Sequence, residues 1–238
     1  MNVMKKMKFG AFALSLAFVF TACSSDDDAK NTSNTGTLKI AANANYENAL
    51  SRSAGSVSLE NFIVNFKEIE LELKDGFYNS DDDIELKGPF EIDLLSGNNI
   101  QLININIPNG IYDEIEFEFD KSENPNSELF GKSMKMTGEI NGKPFMFWHD
   151  FEDEIEIDYE DSGKSLVIDN NTKEVVINFN LANVMSLVDL STATDNDDDG
   201  IIVISPKDED GNRDLAKKLK QAIKAQIELM DDLDYASV

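Results

Sequence analysis

Cysteine occurs once in these 238 residues, at Cys23, and histidine once, at His149. One thiol cannot close an internal disulfide, run a dithiol redox cycle or build a thiolate metal site. One imidazole cannot supply a His-rich zinc centre. Basic residues are scarce: 21 Lys and Arg stand against 46 Asp and Glu, a formal net charge of −25. So acidic a surface repels phosphate backbones, which excludes nucleic acid as a partner, and it disfavours adsorption to anionic lipid. The phosphate-binding patterns G-x-G-x-x-G and G-x-x-x-x-G-K are absent, as is the nucleophile elbow G-x-S-x-G. The most apolar stretch, Phe9–Ala22, has only 14 residues, against about 20 for a membrane-spanning helix.

That stretch follows Lys5, Lys6 and Lys8 as the core of a signal peptide follows its positive start. It ends Phe20-Thr21-Ala22-Cys23, which resembles the lipobox of lipoprotein signal peptides, with Phe20 where Leu is usual. The resemblance implies cleavage after residue 22, a diacylglycerol thioether on Cys23 and acylation of the freed amine. Two or more acyl chains anchor stably where one does not, so the expected protein is anchored to a membrane without spanning it. Loss of residues 1–22, with three lysines and no acid, takes the net charge from −25 to about −28. Residues 23–36 then form a small, polar, acidic tether. Ser24-Ser25-Asp26-Asp27-Asp28 resembles the export signal of Bacteroidetes-type surface lipoproteins, which implies the outer membrane with the domain facing the exterior.

The rest of the chain alternates with period two, the pattern of strands. Phe62, Val64 and Phe66 lie on one phase and Ile69, Leu71 and Leu73 on the other, a slip that predicts a β-bulge near Lys67 or Glu68. Ile103, Ile105 and Ile107 precede a Pro108-Asn109-Gly110 turn, and Ile115, Phe117 and Phe119 follow it. Asn141-Gly142 predicts a tight hairpin between Met134–Ile140 and Phe145–His149. Nine or ten such strands predict an all-β, antiparallel β-sandwich over residues 37–190. Residues 182–188 suit one short helix, and Leu215, Leu219, Ile223, Ile227 and Met230 predict one C-terminal amphipathic helix over 213–233. Asp210, Gly211 and Asn212 offer its capping chemistry, and its lysines would meet the acidic sheet.

Phe90-Glu91-Ile92-Asp93-Leu94-Leu95, followed by Ile107-Pro108-Asn109-Gly110-Ile111-Tyr112-Asp113-Glu114-Ile115-Glu116-Phe117, resembles a family of uncharacterised bacterial lipoprotein domains. The likeness spans roughly residues 36–181. It implies a prealbumin-like sandwich and no catalytic residues, since the shared motifs shape turns.

Three features carry candidate chemistry. In residues 191–238, Asp195, Asp197 and Asp199 with Gly200 and Ile202 match the first half of a calcium loop, in which alternate carboxylates on a tight turn converge on one hard cation. Pro206 stands where the closing Glu belongs, so Asp208, Glu209 or Asp210 would supply the last oxygen; the alternative is a solvated acidic turn. Residues 150–161 hold eight acids in 12 positions, with Glu152, Glu154, Glu156, Asp158 and Glu160 on one strand face, a solvated surface or a cation-dependent one. Trp148 alternates with the phenylalanines and so faces outward with Met146, where an indole would stack on a sugar or serve as a covered packing residue. His149 reads as structural.

The expected function is that of a non-enzymatic, lipid-anchored surface module that binds an extracellular glycan or protein. Two alternatives remain. One is a pilin-like subunit matured by cleavage at Arg52 and polymerised by strand exchange. The other is a carboxylate-dependent hydrolase, for which so many acids give no specific spacing.

Overall fold

In a computed structural model the described residues are 34–46, 56–74, 83–159 and 165–231. The signal segment, Cys23, most of the tether and Arg52 lie outside them. Strands dominate. The alternating runs form β1 (Thr35–Ala44), β2 (Val57–Leu73), β3 (Ile84–Asp93), β4 (Ile100–Pro108), β5 (Gly110–Phe119), β6 (Met134–Ile140), β7 (Lys143–His149), β8 (Asp153–Asp158), β9 (Leu166–Ile168) and β10 (Thr172–Phe179). Helix α1 (Leu181–Leu187), a 3-10 turn (Leu190–Thr192), β11 (Ile202–Ile204), helix α2 (Arg213–Lys224) and β12 (Ile227–Asp231) follow. Among the described residues no helix is long and apolar enough to cross a membrane.

The strands make two sheets. One runs β12-β10-β1-β4; the other runs β11-β7-β6-β2-β5-β8, with β3 added on β2 and β9 on β5. The inward phase of the smaller sheet, Leu38, Ile40, Val175, Ile177 and Phe179, shares one core with Phe62, Val64, Phe66, Phe117 and Met136 of the larger. Phe179 spans the two, 5.6 Å from the Phe62 ring and 6.5 Å from that of Phe66. The pairing is mixed rather than wholly antiparallel, which corrects the expectation: β1 runs parallel to β10 and β11 parallel to β7. Both join segments far apart in sequence, so no hairpin turn imposes an antiparallel sense.

Local signals hold where a turn or a phase slip sets the geometry. The β2 register shifts between Phe66 and Glu68 against both β3 and β5, which moves the inward phase from Phe66 to Ile69. The β6–β7 hairpin turns on Asn141 (φ 55°) and Gly142 (φ 79°). At the β4–β5 corner the fully buried Tyr112 donates its hydroxyl to the Pro108 carbonyl at 2.9 Å. Gly138 is required where β6 crosses β2, because a Cβ there would sit 1.9 Å from the Ser58 carbonyl oxygen.

The C-terminal helix is shorter than expected. It buries Leu215, Ala216, Leu219 and Ile223, then stops at Lys224. Residues 227–231 turn back as β12 against Phe179–Val175 of β10. Ile227 and Met230 therefore belong to a strand: the open edge of β10 offers a ladder of backbone partners, and that outweighs weak helix propensity. Lys220 and Lys224 meet one acid of the larger sheet, Asp153, at 3.5 and 2.5 Å, but on the Ile155–Ile157 side of β8 and not on the Glu154, Glu156 and Asp158 face.

Candidate metal centre

Between the 3-10 turn and α2 the chain makes an excursion that only β11 ties to a sheet. Two buried polar side chains hold it together. The Asn212 amide accepts from the Thr194 N–H at 3.0 Å and donates to the Thr194 and Val203 carbonyls at 2.7 and 2.9 Å. The Asp210 carboxylate, 1% exposed, accepts the N–H groups of Asn196 (3.0 Å), Asp197 (3.4 Å) and Val203 (2.6 Å). Positive φ at Asp198 (60°) and Gly200 (96°) bends the segment tightly; Gly bears such a φ without the steric cost of a Cβ.

The bend gathers three carboxylates. Asp195, Asp197 and Asp210 each place an oxygen within 4.8 Å of the others. The Asp195 side chain is 2% exposed. Its Oδ2 accepts from the Gly200 N–H at 3.1 Å and from Lys143 Nζ at 2.5 Å. Its Oδ1 is buried with no hydrogen-bond partner. A buried anionic oxygen without a donor is costly, and all its nearest carboxylate neighbours repel it. The Lys143 hydrogen bond, against the opposing effect of desolvation, holds the Asp195 carboxyl below the usual range. Asp197 accepts the Asp199 N–H, which pulls its carboxyl down. Desolvation and the charges of Asp199 and Asp210 outweigh that, and the net shift is upward. The set is all oxygen, the preference of calcium or magnesium rather than of zinc or copper.

Two of the five aspartates expected here do other work. Asp199 turns its Oδ1 to the Ile201 N–H at 2.8 Å. Asp208 accepts the Arg213 N–H at 3.0 Å at the start of α2, where Asn212 stands at the N-cap as expected but makes no side-chain cap bond. Neither belongs to the three-carboxylate group. What sequence reasoning missed is Lys143, 52 positions before Asp195. Its one signal was its place just after the Asn141-Gly142 turn.

Trp148 does point away from the shared core, but it is 5% exposed. The Nζ atoms of Lys132 and Lys207 lie 5.6 and 5.2 Å from its ring centroid. Of the two readings given for it, this burial suits the covered packing residue and corrects the open stacking platform: the Lys132 and Lys207 ammonium groups lie over its π face. His149 packs edge-on against Phe151 at 5.4 Å; burial, then Lys220, lowers its pKa and keeps the imidazole neutral.

The acidic run of β8 completes a larger surface. The ladders align Glu72–Glu114–Asp158, Glu70–Glu116–Glu156 and Glu68–Glu118–Glu154 across β2, β5 and β8. Burial, with Glu154, Glu70, Glu114 and Glu156 around it, pushes Glu116 up to about 7. Glu114, Glu116 and Glu156 are a second close carboxylate group. They differ from the first in having no fully buried member and no buried oxygen left without a donor, so like-charge repulsion describes them without any ligand.

No known protein family, curated protein or solved structure matches this chain.

Proposed function

We propose that the chain is a lipid-anchored, non-enzymatic surface module whose prealbumin-like sandwich takes up a calcium ion in the 195–210 excursion and presents its outer faces to an extracellular ligand. The anchor rests on Phe20-Thr21-Ala22-Cys23 and the acidic residues after it. The observation that carries the calcium reading is Asp195 Oδ1, buried without a donor beside Asp197 and Asp210. A divalent cation satisfies that oxygen and neutralises the repulsion in one step. Calcium is favoured over magnesium because it accepts irregular sets of carboxylate and carbonyl oxygens, whereas magnesium demands near-ideal octahedra.

The test is a thermal melt of the full chain in excess EDTA, then in millimolar calcium, with magnesium at matched ionic strength. A ligand that binds only the folded state raises stability by about 2.7 kcal/mol at a hundredfold excess over Kd. The expected result is a calcium-specific rise of several degrees that Asp197→Asn abolishes. An equal response to both ions, or none, sinks the reading.

One observation favours the pilin-like alternative. β1 is an interior strand of the smaller sheet, with Leu38, Ile40, Ala41 and Ala42 buried, and so is a strand that exchange could replace. Mass spectrometry of the native protein separates the two: an acylated Cys23 supports a permanent anchor, and a terminus at Ser53 supports a subunit cut after Arg52.

A further inference from the structure

Lys143 starts β7, directly after the hairpin turn, and its ammonium group sits 2.5 Å from Asp195 Oδ2. Its own side chain is 43% exposed while that of Asp195 is 2% exposed, so a surface lysine reaches down onto a buried carboxylate. Among the described residues it is the one cation paired with Asp195, Asp197 or Asp210. Its pKa is raised, first by the hydrogen bond to Asp195 and then by the charges of Asp195, Asp198 and Asp210. The ammonium group thus sits in the field of three carboxylates, Asp195, Asp198 and Asp210, two of which belong to the group that would hold a divalent ion.

We infer that Lys143 is a tethered substitute cation: it keeps the 195–210 excursion folded without calcium, and it weakens calcium binding so that the site loads only near millimolar concentration. This rests on the calcium reading above. A positive charge fixed on one ligand carboxylate removes one of that ligand's two oxygens from competition and repels the incoming ion. Affinity of calcium sites follows the net ligand charge, and weak sites in the millimolar range suit extracellular modules. The same contact offsets part of the repulsion among the carboxylates, so the loop has no absolute need of the metal. Loading then moves the Asp195 carboxylate from the lysine to the calcium ion, and the hairpin start at Lys143 is left tied to the excursion through the β7–β11 pairing alone.

The experiment titrates calcium chloride into the chelator-treated full chain by calorimetry, for the native sequence, Lys143→Gln and Lys143→Arg. In parallel, melts in EDTA read the fold without metal. Lys143→Gln is expected to bind calcium about tenfold more tightly, to melt lower in EDTA, and to regain its midpoint in calcium. Lys143→Arg, which keeps the charge, is expected to behave as the native chain. Equal or weaker calcium binding by a folded Lys143→Gln overturns the inference and leaves the calcium reading intact if the native chain binds. Binding by Lys143→Gln alone shows that the lysine blocks the site outright, and it overturns both the millimolar loading inferred here and the calcium reading of the native chain. Binding by neither refutes both. Should Lys143→Gln fail to fold in EDTA, the ammonium resonance of Lys143 in the native chain decides. A shift to the free-lysine position as calcium saturates supports the exchange, and an unmoved signal overturns it.

Discussion

At Asp197 two demands on one carboxylate oppose each other. Without metal it stands among Asp195, Asp199 and Asp210, and its pKa is shifted upward, first by desolvation and then by the charges of Asp199 and Asp210. With calcium it becomes a ligand. Asp197→Asn keeps the side-chain oxygen that accepts the Asp199 N–H at 3.1 Å but removes the charge. In EDTA this variant is expected to melt at or above the native chain, and in calcium below it, so the two melting curves cross in order. Asp210 is different, since three backbone N–H groups end on it in a buried position. Asp210→Ala strands those donors, at about 1–3 kcal/mol, and is expected to lower the midpoint with or without calcium. The spacing Asp195-x-Asp197-x-Asp199-Gly200 made the excursion legible as a cation loop, because such a turn presents alternate side chains inward. It gave no way to see that the Asp199 carboxylate is taken by the Ile201 N–H, or that Asp210 folds back across the bend. Those depend on how the segment docks beside β7.

Among the elements, β5 concentrates the acidic surface. Its Glu114, Glu116 and Glu118 lie between the acids of β2 and those of β8. Glu116 titrates near 7 in the folded chain against an ordinary value of 4.5. The folded state therefore holds a proton there that the unfolded chain has released. Stability conferred by this group is fully present below about pH 4.5 and is lost as pH rises through 7. Glu116→Gln removes the charge and is expected to raise stability at pH 8 by about 1 kcal/mol after solvent screening. The gain should vanish below pH 4.5, and chemical denaturation at the two pH values checks both arms. A gain independent of pH would show that repulsion is not its source. The alternation of Glu with Ile and Phe on β5 and β8 made each strand legible, but not the alignment of three acidic strands, which is a matter of register. The C-terminal element fails for the opposite reason. Ile223, Ile227 and Met230 satisfy a helical period, while Ile227 and Leu229 also satisfy a strand period. Only the free edge of β10 decides between them.

For the whole molecule, the smaller sheet gathers both ends of the described chain onto one strand. β10 is flanked by β1, from residues 35–44, and by β12, from residues 227–231. The β1–β10 pairing, Thr37 with Thr172 at its start, closes a loop of more than a hundred residues before it returns any contact energy, so it forms late in folding. β1 buries Leu38, Ile40, Ala41 and Ala42 between its two neighbours. Full burial of one Leu or Ile contributes about 1.5–3 kcal/mol, so Leu38 and Ile40 alone supply about 3–6 kcal/mol. A domain of this kind holds only about 5–15 kcal/mol in total. A chain lacking residues 1–46 should therefore lose its cooperative melt, leaving a groove in which β4 has no partner in that sheet and β10 keeps only β12. A peptide of residues 34–46 is expected to bind that groove and restore the transition, whereas one with Leu38 and Ile40 both changed to Asp is not. Circular dichroism melts with added peptide read the result. If the truncated chain melts like the full one, β1 is dispensable to the fold, and the case for strand exchange as a route to assembly falls with it.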